Sequence, residues 1–369
     1  MVKEREKAVS TGNRKYEQIE AYLNNLIAKG LIKEGDRLIP ERELGRMFKA
    51  SNVPVRQAMK KFIRQGILER VHGKGTFVKQ LKNKNSTNKI GILHLHDEEG
   101  FFNSSFYMEI LSGIQKQAKT KKLSLVLHPL NWADNPQYLF SSLQDDVDGF
   151  IIIDLHPALE KKLAPVLTEI SKPIVMLNYE CHLDGVDTVI TNSRENTRRL
   201  VEYLIKLGHR RIGCVYDAAV PGHPNYINRV NAYKETLQLN NIPVEPALVF
   251  RSCDLSEEKI KALLKAPDPV TAFFYTGSHM LLWAIPALTQ QMDLKIPDDI
   301  SVVGYDNIRE CGQFNPPVTT SDVSLSHMGK AAMQRILEKL AEPPGDSSQS
   351  MELSLCGNVM IRESQKKLS

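Results

Sequence analysis

The most constraining feature of this sequence is the alternation of short apolar segments with amphipathic ones from Lys89 onward. IGILHL, LSLVLH and GFIII predict strands, and helical periodicity between them, as at Phe106–Lys119, predicts helices. The alternation restarts after about Asp187 with RIGCVY, TAFFYT and SVVGYD. We therefore expect an α/β fold of two lobes, each a doubly wound parallel sheet, with a ligand cleft where the carboxyl ends of the strands face each other.

The first 79 residues predict a separate unit of three helices and a hairpin. Apolar residues recur at helical spacing between Tyr16 and Ile27, a second short helix follows Pro40, and a third has Pro54 in its first turn. Two short strands then flank the sequence HGKG at residues 72–75, whose glycines permit a tight turn.

The net charge of +5 combines two regions of opposite sign. Residues 1–89 contain 21 Lys and Arg against 9 Asp and Glu, a net of +12, whereas the remainder contains 27 against 34, a net of −7. A small basic unit gains affinity by releasing the counterions condensed on nucleic acid, which an acidic domain does not do. Charge alone leaves open a merely soluble basic surface, but with the three-helix pattern it indicates a nucleic-acid partner.

The N-terminal unit resembles the winged helix-turn-helix domain of the GntR family. The resemblance rests on GDRLIP with Arg42, on VRQA at residues 55–58 and on GKGTFV at residues 73–78. It implies that the helix beginning near Ser51 enters the major groove of a double-stranded DNA operator and that the wing touches the minor groove. By position it implies these contact residues: Arg42, Ser51, Asn52, Val53, Arg56, Gln57, His72, Gly73 and Lys74.

Among these residues, Asn52, Arg56 and Gln57 are expected at base edges, and Arg42, Ser51 and Lys74 at phosphates. The alternative is that Arg42 and Arg56 pair with local acids such as Glu41 or Glu69. Asn52 stands where the family commonly has Arg, and Pro54 where it commonly has Thr. An amide favours adenine over guanine, so the operator sequence of the relatives does not carry over to this chain.

The larger part of the chain resembles the effector-binding domain of the LacI family, itself similar to periplasmic sugar-binding proteins. The strings that carry the resemblance are LGHRRI at 207–212, RVNAY at 229–233, IPDDISVVGYD at 296–306 and PPVTT at 316–320. A GntR-type DNA-binding domain joined to a LacI-type effector-binding domain is the arrangement of the arabinose-responsive repressors. The resemblance implies a homodimeric regulator, of the repressor type, that responds to a sugar or sugar derivative.

These resemblances divide the chain. We expect a winged helix-turn-helix domain at residues 1–79, a polar linker at 80–88 and an effector-binding and dimerisation domain at 89–369. Lobe one is expected at about 89–187 with 316–341, and lobe two at about 188–315 with 350–363.

A sugar cleft needs bidentate polar groups for hydroxyls and an aromatic face for the ring. By family position Arg229, opening a helix, and Asp306, ending a strand, bind hydroxyls, whereas Phe106 and Tyr107 are stacking candidates. Three further residues are expected to line the site: Asn178, Asn192 and Phe314. The alternatives are ordinary core packing for Phe106 and a structural salt bridge for Arg229.

Two departures from the LacI pattern bear on the ligand. Gly277-Ser278, followed by His279, stands where the family typically has Asn-Asp, and Asn192-Ser193 stands where Asp-Asn is usual. A cleft with fewer carboxylates predicts an anionic or phosphorylated sugar, or a loss of ligand binding.

Other function classes lack a sequence signal. Five scattered cysteines form no C-x-x-C pair, His94 and His96 with Asp97 lack a third metal ligand, and no motif of a hydrolase, P-loop or zinc protease is present. We expect no cofactor, no metal and no enzymatic activity. The polar N-terminus and the absence of a long apolar run predict a cytoplasmic protein with no membrane partner.

The expected mechanism couples ligand binding to the spacing of two DNA-binding domains. Ligand closes the lobes, closure changes the relation of two subunits, and the winged domains lose their fit to half-sites. One rival is an effector-independent regulator whose large domain only dimerises. A more remote rival is a soluble protein that acts on sugars.

Overall fold

The computed structural model describes the chain in these ranges: 15–16, 18–20, 22–23, 26, 32, 35–64, 68–71, 74–78, 86–95, 98–130, 136–217, 222–342 and 350–368. The chain divides into two compact units that separate between Thr87 and Asn88, and each is described by itself.

In its described residues, the first unit has helical segments at 15–16, 18–20, 22–23 and 26, two further helices and a hairpin around a small apolar core. Helix α1 spans Glu41–Met47 and helix α2 spans Asn52–Arg64, and strands β1 (Leu68–Val71) and β2 (Gly75–Val78) pair antiparallel. The segment before α1 joins the hairpin, because the Leu38 amide donates to the Thr76 carbonyl at 2.8 Å. The fully buried side chains are those of Ile19, Leu23, Leu38, Leu44, Val55, Ala58, Met59, Phe62, Leu68 and Val78.

In the second unit, a six-stranded sheet forms lobe one, in the order β13-β7-β6-β5-β3-β4, with all pairs parallel. Its strands are β3 (Lys89–His94), β4 (Ser124–Pro129), β5 (Gly149–Ile153), β6 (Ile174–Leu177), β7 (Val186–Thr191) and β13 (Glu352–Leu355). Its helices are α3 (Glu98–Phe102), α4 (Ser105–Thr120), α5 (Pro136–Leu143) and α6 (Pro157–Leu167), with α11 (Leu325–Ala341) packed on α4. Strand β5 is apolar and buried throughout, as a strand covered by helices on both faces must be.

A second six-stranded sheet forms lobe two, in the order β14-β12-β11-β10-β8-β9, parallel except for the edge strand β14. Its strands are β8 (Ile212–Tyr216), β9 (Val249–Arg251), β10 (Ala272–Tyr275), β11 (Ser301–Tyr305), β12 (Thr319–Asp322) and β14 (Asn358–Met360). Its helices are α7 (Ser193–Lys206), α8 (Pro224–Leu239), α9 (Glu257–Leu264) and α10 (Leu281–Pro286). The predicted fold class, a helix-turn-helix followed by a two-lobed domain of parallel sheets, is confirmed.

Two strands differ from the expected lobe boundaries. Strand β12, expected in lobe one, pairs with β11 of lobe two, and β13, expected in lobe two, pairs with β7 of lobe one. The chain therefore crosses between lobes three times, after β7, after β12 and after β13. Both strands are short and rich in hydroxyl or charged residues, so apolar periodicity did not locate these crossings.

Each lobe has a close internal contact that stabilises it. Gly113 of α4 and Gly329 of α11 face each other's helix so closely that a Cβ on Gly329 would collide with the Ile110 carbonyl oxygen. In lobe two, the fully buried His209 ring bonds Thr271 Oγ1 at 2.9 Å through Nδ1 and the Lys366 carbonyl at 3.1 Å through Nε2. The LGHRRI string thus anchors the C-terminal segment. No helix in the described ranges is both long and apolar enough to span a bilayer.

Candidate functional site

The second unit contains a cavity of about 410 Å³ where the strand ends of the two lobes meet. Lobe one contributes residues that follow β3, β5 and β6, and lobe two contributes residues that follow β8 and β11. This is where open parallel sheets place ligands, since loops and helix N-termini converge there. Five of the seven expected effector residues line it: Phe106, Tyr107, Asn178, Arg229 and Asp306.

Arg229 and Asp306 form a buried ion pair in the cavity wall. Arg229 is 3% exposed, and its Nη2 lies 3.1 Å from Asp306 Oδ1 while Nη1 donates to the Thr276 carbonyl at 2.6 Å. Its guanidinium stacks 3.7 Å from the Tyr305 ring centroid. Burial opposes the positive charge, but Asp306 and the neighbouring tyrosines outweigh it, and the pKa of Arg229 is raised. The raised pKa keeps the Arg229 guanidinium protonated, and its contacts with Asp306, Thr276 and Tyr305 orient it.

Arg229 lies in the second turn of α8 rather than at its start. The helix begins at Pro224, and the His223 ring caps it by accepting the Asn225 amide at 3.3 Å. Arg229 therefore lies further along the helix than expected. Its guanidinium still reaches the cavity.

Asp154 joins the lobe-one side of the cavity and was not identified from the sequence. Its Oδ2 accepts the Tyr107 hydroxyl and its Oδ1 accepts the Asn178 amide, each at 2.7 Å. The His223 ring of lobe two lies 3.8 Å from Oδ1, and burial lowers the pKa of His223, which favours the neutral ring. Burial, followed by the charge of Asp154, raises the pKa of Tyr107 well above its usual value and keeps the hydroxyl a donor.

Three of the cavity residues adopt left-handed backbone immediately after a strand. Asp154 follows β5 with φ 52°, Asn178 follows β6 with φ 60°, and Asp306 follows β11 with φ 75°. Asp and Asn tolerate this region better than other residues with a side chain. The sharp turn aims each short polar side chain into the cleft instead of along the sheet.

Direct hydrogen bonds join the two lobes across the cleft. Asn225 Nδ2 of lobe two donates to Asn178 Oδ1 of lobe one at 3.1 Å and to its carbonyl at 2.9 Å. Ser105 of lobe one donates to Glu310 Oε1 of lobe two. The lobes thus face each other at close range, with polar groups from both sides converging on one cavity.

Two expected effector residues lie outside this cavity. Asn192 caps helix α7, its Oδ1 accepting the Glu195 amide at 3.0 Å, and Phe314 packs against the apolar core. Asn192 does end a strand, but the helix N-terminus takes its side chain. Phe106 lines the cavity and also packs edge-to-face on Tyr107, with ring centroids 5.2 Å apart.

The cavity is rich in carboxylates despite the two departures from the LacI pattern. Four carboxylates line the cavity, those of Asp154, Asp217, Asp306 and Glu310. The Gly277-Ser278 departure removes a carboxylate, but Asp217 compensates nearby, bonded to His279 Nε2 at 2.8 Å. Ser278 itself is fully buried and donates to the Tyr305 carbonyl.

In the first unit, helix α2 presents one polar face to solvent. Asn52, Arg56 and Gln57 are exposed on it, and Val53 is 64% exposed, while Val55 and Ala58 enter the core. The exposed face also includes Ser51 before the helix, and Arg42 on α1 and Lys74 before β2 are exposed as well. His72 and Gly73 lie outside the described residues.

The alternative role of Arg56, an ion pair with a local acid, is present in the structure but weak. Arg56 Nε lies 3.5 Å from Glu41 Oε2, with the Arg56 side chain 67% exposed, and Arg70 also contacts Glu41. Exposed pairs of this kind contribute about 0–1 kcal/mol. Arg56 can therefore exchange Glu41 for a stronger partner.

Among the described residues, no group of three or more His, Cys, Asp or Glu side chains is arranged to hold a metal ion. His94 is buried and stacks on Phe101 with ring centroids 3.9 Å apart, whereas His96 and Asp97 lie outside the described residues.

Each of the two units contains a match to a known family. Residues 15–78 match the bacterial regulatory proteins of the gntR family, and residues 201–365 match the periplasmic binding protein-like domain. The HTH-type transcriptional repressor PurR of Photorhabdus laumondii is 30% identical over 274 residues, which cover 71% of this chain and 76% of that protein. PurR of Aliivibrio salmonicida is 27% identical over 295 residues, which cover 78% and 85%.

Solved structures share the fold. The transcriptional regulator CelR–cellobiose complex has a TM-score of 0.64 at 22% identity, covering 85% of this chain and 91% of that one. A LacI family transcriptional regulator from Enterococcus faecium with bound ribose has a TM-score of 0.63 at 22% identity, covering 76% and 100%.

Proposed function

The chain belongs to the HTH-type transcriptional repressors related to PurR, with a gntR-family domain joined to a LacI-type ligand-binding domain, and we propose that a small polyhydroxylated molecule controls its affinity for operator DNA. The ligand would bind in the cavity between the two lobes. The observation that carries this proposal is the Arg229–Asp306 pair in the wall of that cavity.

The chemistry of the cavity suits a polyol. Arg229 and Asp306 offer a rigid donor and acceptor side by side, and Asp154 with Asn178 offers a second set on the opposite lobe. Phe106 supplies a half-buried ring against which the C–H face of a sugar can pack. Two proteins of the same fold carry sugars in their structures, cellobiose in one and ribose in the other.

The DNA-binding roles follow from exposure and side-chain chemistry. Asn52, Arg56 and Gln57 would read base edges in the major groove, with the exposed Val53 against a thymine methyl group. Arg42, Ser51 and Lys74 would hold phosphates. His72 and Gly73 would reach the minor groove from the wing.

Two copies of the chain would act together. A single winged domain reads a short half-site, so a homodimer would supply the affinity and selectivity that one domain lacks. Ligand binding between the lobes would change their relative position, and through the dimer the spacing of the two winged domains. Operator affinity and ligand affinity are then linked reciprocally.

Calorimetry tests the ligand site. The full chain is titrated with neutral hexoses and pentoses, and the binding member is then tested for its effect on operator affinity. Arg229→Lys keeps the charge but loses the donor fork, so we expect ligand affinity to fall at least tenfold. Arg194→Lys, exposed on the same lobe, is the matched control and should bind as the unmodified chain does. Operator binding that no sugar changes would support the effector-independent rival instead.

A further inference from the structure

The charges around the cavity are unevenly compensated. Among the described residues, four carboxylates line it against a single guanidinium, that of Arg229, and two histidine rings. Burial favours the neutral form of His223, and His279 is already bonded to Asp217. The cavity therefore has a surplus of negative charge in a confined volume.

Three of the carboxylates have internal partners on their side chains. Asp306 is bound by Arg229, Asp154 by Tyr107 and Asn178, and Asp217 by His279. These hydrogen bonds orient the three carboxylates and partly satisfy their charges. The three groups shape the field in the cavity, but each already has a donor of its own.

Glu310 differs from the other three. Its Oε1 accepts the Ser105 hydroxyl, but its Oε2 is buried and has no hydrogen-bond partner among the described side chains and backbone groups. The nearest cation is Arg309, which is 71% exposed and lies 3.8 Å from Oε1. The Glu310 side chain is 26% exposed and lines the cavity, so a rotation of its carboxylate would let this oxygen accept a hydrogen bond from a bound molecule.

A second unsatisfied group supports a ligand with both hydroxyl and amino groups. The Arg229 side chain is 3% exposed and lines the cavity, and its Nε has no acceptor in the described part of the chain. A ligand hydroxyl can supply that acceptor. Burial is the largest cause of the raised pKa of Tyr226, which also lines the cavity. The charge of Arg229 lowers this pKa, and the charges of three carboxylates, those of Asp217, Asp306 and Asp154, raise it further. Their fields thus overlap inside the cavity.

We propose that the effector is a polyhydroxylated molecule that carries a protonated amino group, such as an amino sugar, and that Glu310 receives this group. The inference rests on the proposed effector function and narrows the ligand class within it. A phosphorylated or carboxylated sugar would bring a further negative charge against four carboxylates, so the same residues exclude anionic ligands. This reverses the anionic ligand expected from the sequence.

Matched sugars test the proposal. The full chain is titrated with glucose, galactose and mannose, with their 2-amino-2-deoxy counterparts, and with their 6-phosphates. We expect at least one amino sugar to bind tenfold or more tightly than its neutral counterpart, and no phosphate to bind. A neutral sugar that binds as tightly as its amino counterpart, or any phosphate that binds more tightly, overturns the inference while leaving the proposed function intact. Absence of binding by every member overturns both.

Substitution at Glu310 tests the residue assignment. Glu310→Gln keeps the size and the Ser105 contact but removes the charge, so the affinity for the amino sugar should fall at least tenfold more than the affinity for its neutral counterpart. Glu352→Gln, exposed on β13 and outside the cavity, is the control for handling and folding. An undiminished preference in a folded Glu310→Gln protein contradicts the role of Glu310, and the thermal midpoint of both variants establishes that they are folded.

Discussion

At the scale of single residues, Arg229 and Asp306 depend on each other because both are almost fully buried. Replacing Arg229 with Ala leaves a carboxylate in the protein interior without its cation. We expect a loss of about 3–5 kcal/mol in the free energy of unfolding, measured by urea denaturation. The double variant Arg229→Met with Asp306→Asn should lose less than Arg229→Ala, because no unpaired charge remains. A double variant that is less stable than Arg229→Ala would show that the ion pair itself stabilises the fold.

Buried histidines set a pH dependence of stability. Burial lowers the pKa of His209 below its usual 6.5, so the unfolded chain binds a proton more readily than the folded one. The stability contribution of the neutral ring is fully present above pH 6.5 and is lost as the pH falls toward the folded-state pKa. His223 shifts in the same direction.

We therefore expect the urea concentration at the unfolding midpoint to decrease when the pH is lowered from 7.5 to 5.5. His209→Gln removes one of the two rings whose pKa burial lowers, so its midpoint should fall less over the same interval. Identical losses in both proteins would exclude His209 as a contributor.

The sequence predicted part of the candidate site at this scale. Arg229 and Asp306 came from family position, and Phe106, Tyr107 and Asn178 from their places at strand ends and connections. All five line the cavity. Asp154, Asp217, His223 and Glu310 were missed, because their roles arise only when residues far apart in sequence meet across two lobes. Conversely, the strand end at Asn192 looked like a ligand position, but a helix N-terminus uses its side chain.

At the scale of elements, helices α4 and α11 approach so closely that no side chain fits between them at Gly113 and Gly329. We expect Gly329→Ala to lower the free energy of unfolding by about 1–3 kcal/mol through overpacking. Gly312→Ala, where the nearest atom to a new Cβ is 3.9 Å away, should leave the free energy of unfolding almost unchanged. Thermal denaturation of both variants measures the difference. Equal stability of the two variants would mean that the helices separate without penalty.

Helix α2 carries the prediction for DNA. Arg56→Ala should weaken operator binding by about 1–3 kcal/mol and relax selectivity at one base position, as measured by fluorescence anisotropy with a set of single-base variants. Lys60→Ala, also exposed on α2 but not expected to contact bases, serves as the comparison. Uniform weakening across all sequences would reassign Arg56 to a phosphate.

The helices and most strands were predictable because apolar periodicity reports which face of an element is buried. The lobe membership of β12 and β13 was not, since TTSD contains no apolar residue and the alternation in ELSL does not indicate which sheet the strand joins. Strand order is a property of the assembled sheet, and local sequence carries little of it.

At the scale of the whole molecule, positive charge is concentrated in residues 1–89 and the remainder is acidic. DNA affinity should therefore fall steeply with salt, with each neutralised phosphate adding about −0.9 to the slope of log affinity against log salt concentration. Lys74→Ala should weaken binding to all sequences alike and make that slope shallower by about 1. A slope that does not change would place Lys74 away from the phosphates.

The left-handed turns at Asp154, Asn178 and Asp306 also restrict how this scaffold can diverge. Because only Asn, Asp and Gly occupy that backbone region readily, each of these positions can exchange a carboxylate for an amide, or lose its side chain, but cannot acquire a long or branched one. New ligand preferences must then arise from the helix residues around the cleft, such as Phe106 and Arg229, while the strand ends change only in charge.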